Sequence, residues 1–276
     1  MATIYGTSRA DELYGSAGDD KIYGYGGNDI ILAWAGSGQD TDVIAGGAGD
    51  DTIDADVSRR SKLFGDAGND RISNFVDADE NGGGGWIYGG TGNDTINGNG
   101  YLSGDAGNDV VHGGWDAANT ILGGAGDDKL DGNGTLNGGA GRDTLSNNVY
   151  GGLDTKMTGG TQADRFNVNF DDGTFEYHAR TKVTITDFRH SEGDKLDLNS
   201  MHLDGEDGPY WNVYYNNNFD LFATFDADKN GNRDGVIRIG DFATSRSADG
   251  DLQLRYFGSM VELDGVRSIS TADWIH

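Results

Sequence analysis

The sequence predicts an all-β fold: a right-handed parallel β-roll (β-helix) capped by a C-terminal antiparallel β region. Three observations carry that prediction. A Gly-Gly-x-Gly-x-Asp-x-apolar-x unit recurs along the chain and is written five times between Gly89 and Phe166. One apolar residue per unit keeps a steady register from Leu13 to Phe166. Glycine supplies 48 of the 276 residues and proline one, without the triplet period of a collagen.

The units begin loosely and become regular. Gly6 to Asp11 keeps the aspartate but has lost most of the glycines. From Gly89 the unit reads Gly89-Gly90-Thr91-Gly92-Asn93-Asp94-Thr95-Ile96-Asn97, then Gly104-Asp105-Ala106-Gly107-Asn108-Asp109-Val110-Val111-His112. The three that follow end at Leu130, Leu145 and Phe166. The apolar residues Leu13, Ile22, Ile31, Ile44, Ile53, Leu63, Ile72, Ile87 and Ile96 set the register. Leu102, Val111, Ile121, Leu130, Leu136, Leu145, Met157 and Phe166 continue it. The residues flanking each of these face outward, because strand side chains alternate. Glycine is needed between them because a tight corner requires positive φ and close backbone approach.

Two strands make one coil, so alternate turns stack on opposite edges of the roll. One edge receives Asp11, Asp29, Asp51, Asp70, Asp94, Asp109, Asp128, Asp143 and Asp164. The other carries the pattern at Asp20 and, loosely, at Asp40, after which its turns become irregular. The roll is therefore expected to be lopsided. Stacked coils set equivalent aspartates about 4.8 Å apart. At that spacing each adjacent pair repels by about 1 kcal/mol even in bulk water. Such a column requires counter-ions. A hard divalent cation such as calcium fits between consecutive turns, taking aspartate carboxylates and turn carbonyls. The regular turns offer Gly90, Gly92, Gly107, Gly124, Gly126, Gly139 and Gly141 for the latter. Nine stacked turns leave about eight such intervals, and Asp20 with Asp40 would add one. The plainer alternative is that Asp-Gly and Asn-Gly sequences are simply good turns; one repeat does not separate the two readings, whereas the series favours the ions.

Composition narrows the function. Forty-six acidic residues against 20 basic ones give a formal charge of -26, which disfavours nucleic acid as a partner. No cysteine is present, so disulfides and thiolate metal sites are excluded. Residues 1–6 show neither the basic nor the apolar region of a signal peptide. No apolar run approaches the roughly 20 residues that span a bilayer.

The repeated unit resembles the RTX (repeats-in-toxin) calcium-binding family. That resemblance implies a secreted, extracellular protein that leaves through type I secretion machinery on an uncleaved C-terminal signal. From about Arg165 glycines thin out and alternating stretches appear, such as Lys182-Val183-Thr184-Ile185 and Val236-Ile237-Arg238-Ile239. The expected division is 1–166 for the roll and 167–276 for the cap. Within the latter, Ile185-Thr186-Asp187-Phe188, Gly193-Asp194-Lys195-Leu196-Asp197-Leu198 and Val261-Glu262-Leu263-Asp264 resemble the C-terminal domain of serralysin-type secreted proteases. The ending Asp273-Trp274-Ile275-His276 is similar to that family's secretion tail, although a terminal His departs from it.

Two further features are candidate sites. Asp226, Asp228, Asn230 and Asp234 occupy loop positions 1, 3, 5 and 9 of a calcium-loop pattern, with Gly231 at position 6. The acidic position 12 is missing, so a strand-linked calcium site and a polar hairpin both fit. Trp86, Tyr88 and Tyr101 stand at outward positions, where they suit either sugar stacking or packing beneath a neighbouring segment. Catalysis is not expected. No His-Glu-x-x-His or Gly-x-Ser-x-Gly occurs, and His112, His178, His190, His202 and His276 lack metal-ligand spacing. With the repeats starting at residue 6, no N-terminal catalytic domain is expected. The leading expectation is a secreted protein that folds on binding extracellular calcium and has a structural or interaction role. The alternatives are a module that binds extracellular polysaccharide or a cell surface, and the C-terminal module of a larger secreted enzyme or toxin.

Overall fold

The computed structural model describes residues 1–34, 41–56, 60–74, 85–114, 118–147, 153–169 and 182–200, together with the strand backbones after residue 209. Strands alternate between two stacked sheets. The first begins with β1 (Ala2–Tyr5), β3 (Asp20–Gly26), β5 (Val43–Ala48), β7 (Lys62–Ala67) and β9 (Trp86–Thr91). It continues through β11 (Tyr101–Ala106), β13 (Asn119–Ala125), β15 (Gly134–Ala140), β17 (Thr155–Thr161) and β19 (Lys182–Ile185). The second contains β2 (Glu12–Tyr14), β4 (Ile30–Trp34), β6 (Thr52–Asp56), β8 (Arg71–Asn74) and β10 (Thr95–Gly98). To these it adds β12 (Val110–Gly113), β14 (Lys129–Asp131), β16 (Thr144–Ser146), β18 (Arg165–Asn169) and β20 (Lys195–Ser200). Each strand pairs in parallel with the next one of its own sheet. The result is an all-β parallel solenoid.

Register follows the apolar residue. In the first sheet Ile22 pairs with Ile44, Ile44 with Leu63, Leu63 with Ile87 and Ile87 with Leu102. In the second, Ile72 pairs with Ile96, Ile96 with Val111 and Val111 with Leu130. All 17 apolar residues of the predicted register are buried and form one continuous core between the sheets. Alternation around them is strict: Trp86, Ile87, Tyr88 and Gly89 run exposed, buried, half-buried, buried.

Parallel pairing does not stop at Phe166. Strand β19 pairs in parallel with β17, and β20 with β18, pairing Phe166 with Leu196. Parallel pairing thus continues past the point where the glycines thin out. Further on, β21 (Tyr210–Tyr215), β22 (Asp220–Asp226) and β23 (Gly235–Asp241) pair antiparallel. Strand β26 (Ser259–Leu263) pairs in parallel with β19 and antiparallel with β25 (Leu252–Tyr256), which pairs with β24 (Ala243–Arg246). Among the described residues no helix is long and apolar enough to cross a membrane.

Candidate metal centre

Each unit of the repeat places its aspartate two residues before a buried apolar residue, at the point where the turn becomes a strand of the second sheet. Stacking then links these aspartates directly. The N–H of Asp11 donates to Asp29 Oδ1 at 2.8 Å, that of Asp29 to Asp51 at 2.8 Å, and that of Asp51 to Asp70 at 2.8 Å. The ladder runs on through Asp94, Asp109, Asp128, Asp143 and Asp164. It ends one coil beyond the predicted column, where the Asp164 N–H donates to Asp194 Oδ1 at 3.0 Å. From Asp29 onward these aspartates are buried.

In seven of these carboxylates one oxygen is thereby satisfied and the other is not. Oδ2 of Asp29, Asp51, Asp70, Asp94, Asp109, Asp128 and Asp143 is buried without a hydrogen-bond partner. A buried, unpartnered carboxylate oxygen is strongly disfavoured unless a cation or proton meets it. The titration behaviour agrees. Burial, with neighbouring carboxylates adding to it, pushes Asp70, Asp128 and Asp164 up to about 7 against the hydrogen bond each accepts. Asp51, Asp109 and Asp143 are pushed up to about 6 for the same leading reason.

Glycine forms the other side of this channel. A Cβ on Gly89 would collide with Asp94 Oδ2 and would stand 2.7 Å from the Gly104 carbonyl oxygen. Gly107, at φ +142°, turns its Cα toward the Gly92 carbonyl oxygen of the coil before. Carboxylate and carbonyl oxygens therefore crowd the glycine Cα atoms along one edge, where a side chain would not fit. This donor set suits a hard cation that takes oxygen ligands, and calcium above all. Among the described residues no three Asp, Glu, His or Cys side chains gather at a single point. A cation on this edge would draw on carboxylates from stacked turns together with backbone carbonyls.

The opposite edge is different. Asp20 accepts from the Ser16 N–H at 2.6 Å, the Ser16 hydroxyl at 2.8 Å and the Ala2 N–H at 2.8 Å. Burial works to raise its pKa, but the N–H groups of Ser16 and Ala2 outweigh it and hold the carboxyl below its usual value. Asp11, at the start of the metal edge, has similar local donors: the Thr7 N–H and hydroxyl donate to its Oδ2 at 2.5 and 2.8 Å. Asp40 lies outside the described residues. The carboxylate stacked on Asp20 belongs to Asp42, whose Oδ1 accepts the Asp20 N–H at 2.7 Å. The column then passes to Ser61, which accepts from the Asp42 N–H at 2.9 Å. The lopsidedness expected from the sequence is present.

A second, exposed ladder runs beside the buried one. Asn28 accepts the Asp50 N–H, Asp50 that of Asn69, Asn69 that of Asn93, and Asn93 that of Asn108. It continues through Asp127 to the Arg142 N–H. This explains the Asn or Asp that precedes the metal-edge aspartate in most units. Of the loop candidates in the C-terminal region, Asp226 ends β22, while Asp228, Asn230 and Asp234 lie outside the described residues. Trp86, Tyr88 and Tyr101 all stand on the outer face of the first sheet.

The family model of the RTX calcium-binding nonapeptide repeat (4 copies) matches residues 5–40, 37–57, 81–100, 101–130 and 131–146. Among solved structures, the extracellular lipase LipA from Serratia marcescens is similar at 18% identity with a TM-score of 0.18. That alignment covers 99% of this chain and 40% of the lipase chain. No curated protein matches the chain.

Proposed function

We propose, for a chain that carries RTX calcium-binding nonapeptide repeats, that calcium occupies the aspartate edge and that its binding drives the chain to fold outside the cell. RTX repeats bind calcium and are typical of secreted proteins. The observation that carries the reading is the row of seven buried carboxylate oxygens without a protein partner. Calcium would be held by Asp29, Asp51, Asp70, Asp94, Asp109, Asp128, Asp143 and Asp164 with the turn carbonyls beside Gly90, Gly92, Gly107, Gly124, Gly126, Gly139 and Gly141. In a low-calcium cytosol the ladder repels itself and the chain stays unfolded and exportable; external calcium closes it. The proposal includes a right-handed roll, a C-terminal antiparallel region that caps it, export by type I machinery and a non-catalytic role. Limited proteolysis tests it. The chain resists cleavage in millimolar calcium and is digested in chelator or in magnesium alone, and equal resistance in all three would overturn it.

A further inference from the structure

The calcium edge leaves the outer face of the first sheet unused, and that face is built as a platform. Phe64 and Tyr88 stack at 5.2 Å with planes 7° apart, and Tyr101 packs against Tyr88 at 5.6 Å. Trp86 stands beside them, 38% exposed, with Lys62 Nζ 5.8 Å from its ring centre. Two coils away on the same face, Tyr5, Tyr23 and Tyr25 form a second stack with ring separations of 5.8 to 6.4 Å.

At the second glycine position of the repeat, successive coils read Tyr25, Gly47, Asp66, Gly90, Asp105, Gly124. Side chains alternate with glycines over these six coils, and Gly139 and Gly160 follow. The three side-chain residues hold φ of +75°, +73° and +71°, a conformation that costs an L-residue about 1–2 kcal/mol and that the repeat's own glycine would take freely. Strain of this kind persists where a side chain is wanted for another purpose. The Ser103 hydroxyl donates to Asp105 Oδ1 at 2.6 Å, which fixes that carboxylate on the face. Asp66 and Asp105 flank Gly90, so a notch opens between two acceptors at the end of the aromatic platform.

We propose that this face binds an extended, uncharged β-linked polysaccharide lying along the roll axis. Two coils advance about 9.6 Å, close to the disaccharide repeat of such a chain. The outer edges of the stacked rings and the exposed Trp86 offer apolar contact to sugar C–H groups, and carboxylates accept sugar hydroxyl donors. With a net charge of -26 and two carboxylates on the platform, an uncharged polyol fits and a polyanion is repelled. The proposal needs the folded roll but not the export reading.

Affinity electrophoresis of the calcium-loaded full chain tests it, with soluble β-1,4-glucomannan, α-linked soluble starch and alginate as probes. Circular dichroism of the same samples reports folding. Retardation by glucomannan alone is expected. The Asp66→Gly/Asp105→Gly double variant restores the repeat's own glycine, so it folds with calcium yet binds about tenfold or more weakly. Trp86→Ala/Tyr88→Ala loses retardation as well. A folded chain that glucomannan does not retard, that prefers alginate, or whose double glycine variant binds undiminished overturns this proposal alone. A chain that stays unfolded in calcium overturns it together with the calcium reading.

Discussion

At the scale of single residues, the two edges of the roll hold two kinds of aspartate that look alike in sequence. Asp70 has a buried oxygen without a partner, whereas Asp20 has the Ser16 N–H and hydroxyl. Asp70→Asn should therefore raise the calcium concentration at half-saturation by about tenfold, while Asp20→Asn leaves it unchanged, as calorimetric titration would show. Glycine is tested in the same way. Gly107→Ala puts a Cβ against the Gly92 carbonyl oxygen at φ +142°, and it should destabilise the loaded roll by about 1–3 kcal/mol in urea unfolding. The distinction between the two aspartate types was legible only in part. A Ser or Thr at the second position of the turn, as in Ser16 and Thr7, is its sequence signal. Asp42 was equally within reach: it precedes Ile44 by two residues, just as Asp94 precedes Ile96, whereas Asp40 breaks that spacing.

At the scale of the strand and turn, one buried apolar residue per strand does most of the organising. Ile96→Ala should cost about 3 kcal/mol, because Ile96 is fully buried between Ile72 and Val111 of adjoining coils. Exposed changes on the same strand should be nearly silent, which denaturant midpoints would reveal. This register was fully legible from Leu13 to Phe166, since a turn of fixed length leaves a strand little freedom to slip without exposing its apolar residue. The coil formed by β19 and β20 was not. Asp194-Lys195-Leu196 carries the same aspartate-to-apolar spacing, but the turn before it lacks the glycines, and its end is closed by the Arg189 N–H donating to Asp194 Oδ2 at 2.7 Å. The exposed Asn and Asp ladder also went unread, because a carboxamide accepting one N–H from the next coil looks in sequence like any polar turn residue.

At the scale of the whole molecule, both protons and calcium stabilise the ladder, and they compete for the same oxygens. Without metal, Asp70, Asp128 and Asp164 titrate near 7 in the roll against an ordinary value of 3.8, so the folded state binds protons more tightly than the unfolded chain. That contribution is fully present below about pH 4 and is lost as pH rises through about 6 to 7. In chelator, β structure should therefore grow on acidification from pH 8 to pH 5. Calcium affinity should fall over the same range, because protons and calcium compete for the same oxygens. The most direct measurement is far-UV circular dichroism of the chelated chain at pH 7.5 during a calcium titration, with magnesium alongside. Calcium-driven folding requires a cooperative passage from coil to β structure with calcium and none with magnesium. A full β signal that persists in chelator at that pH would contradict it, because the aspartate row would then be stable without an ion.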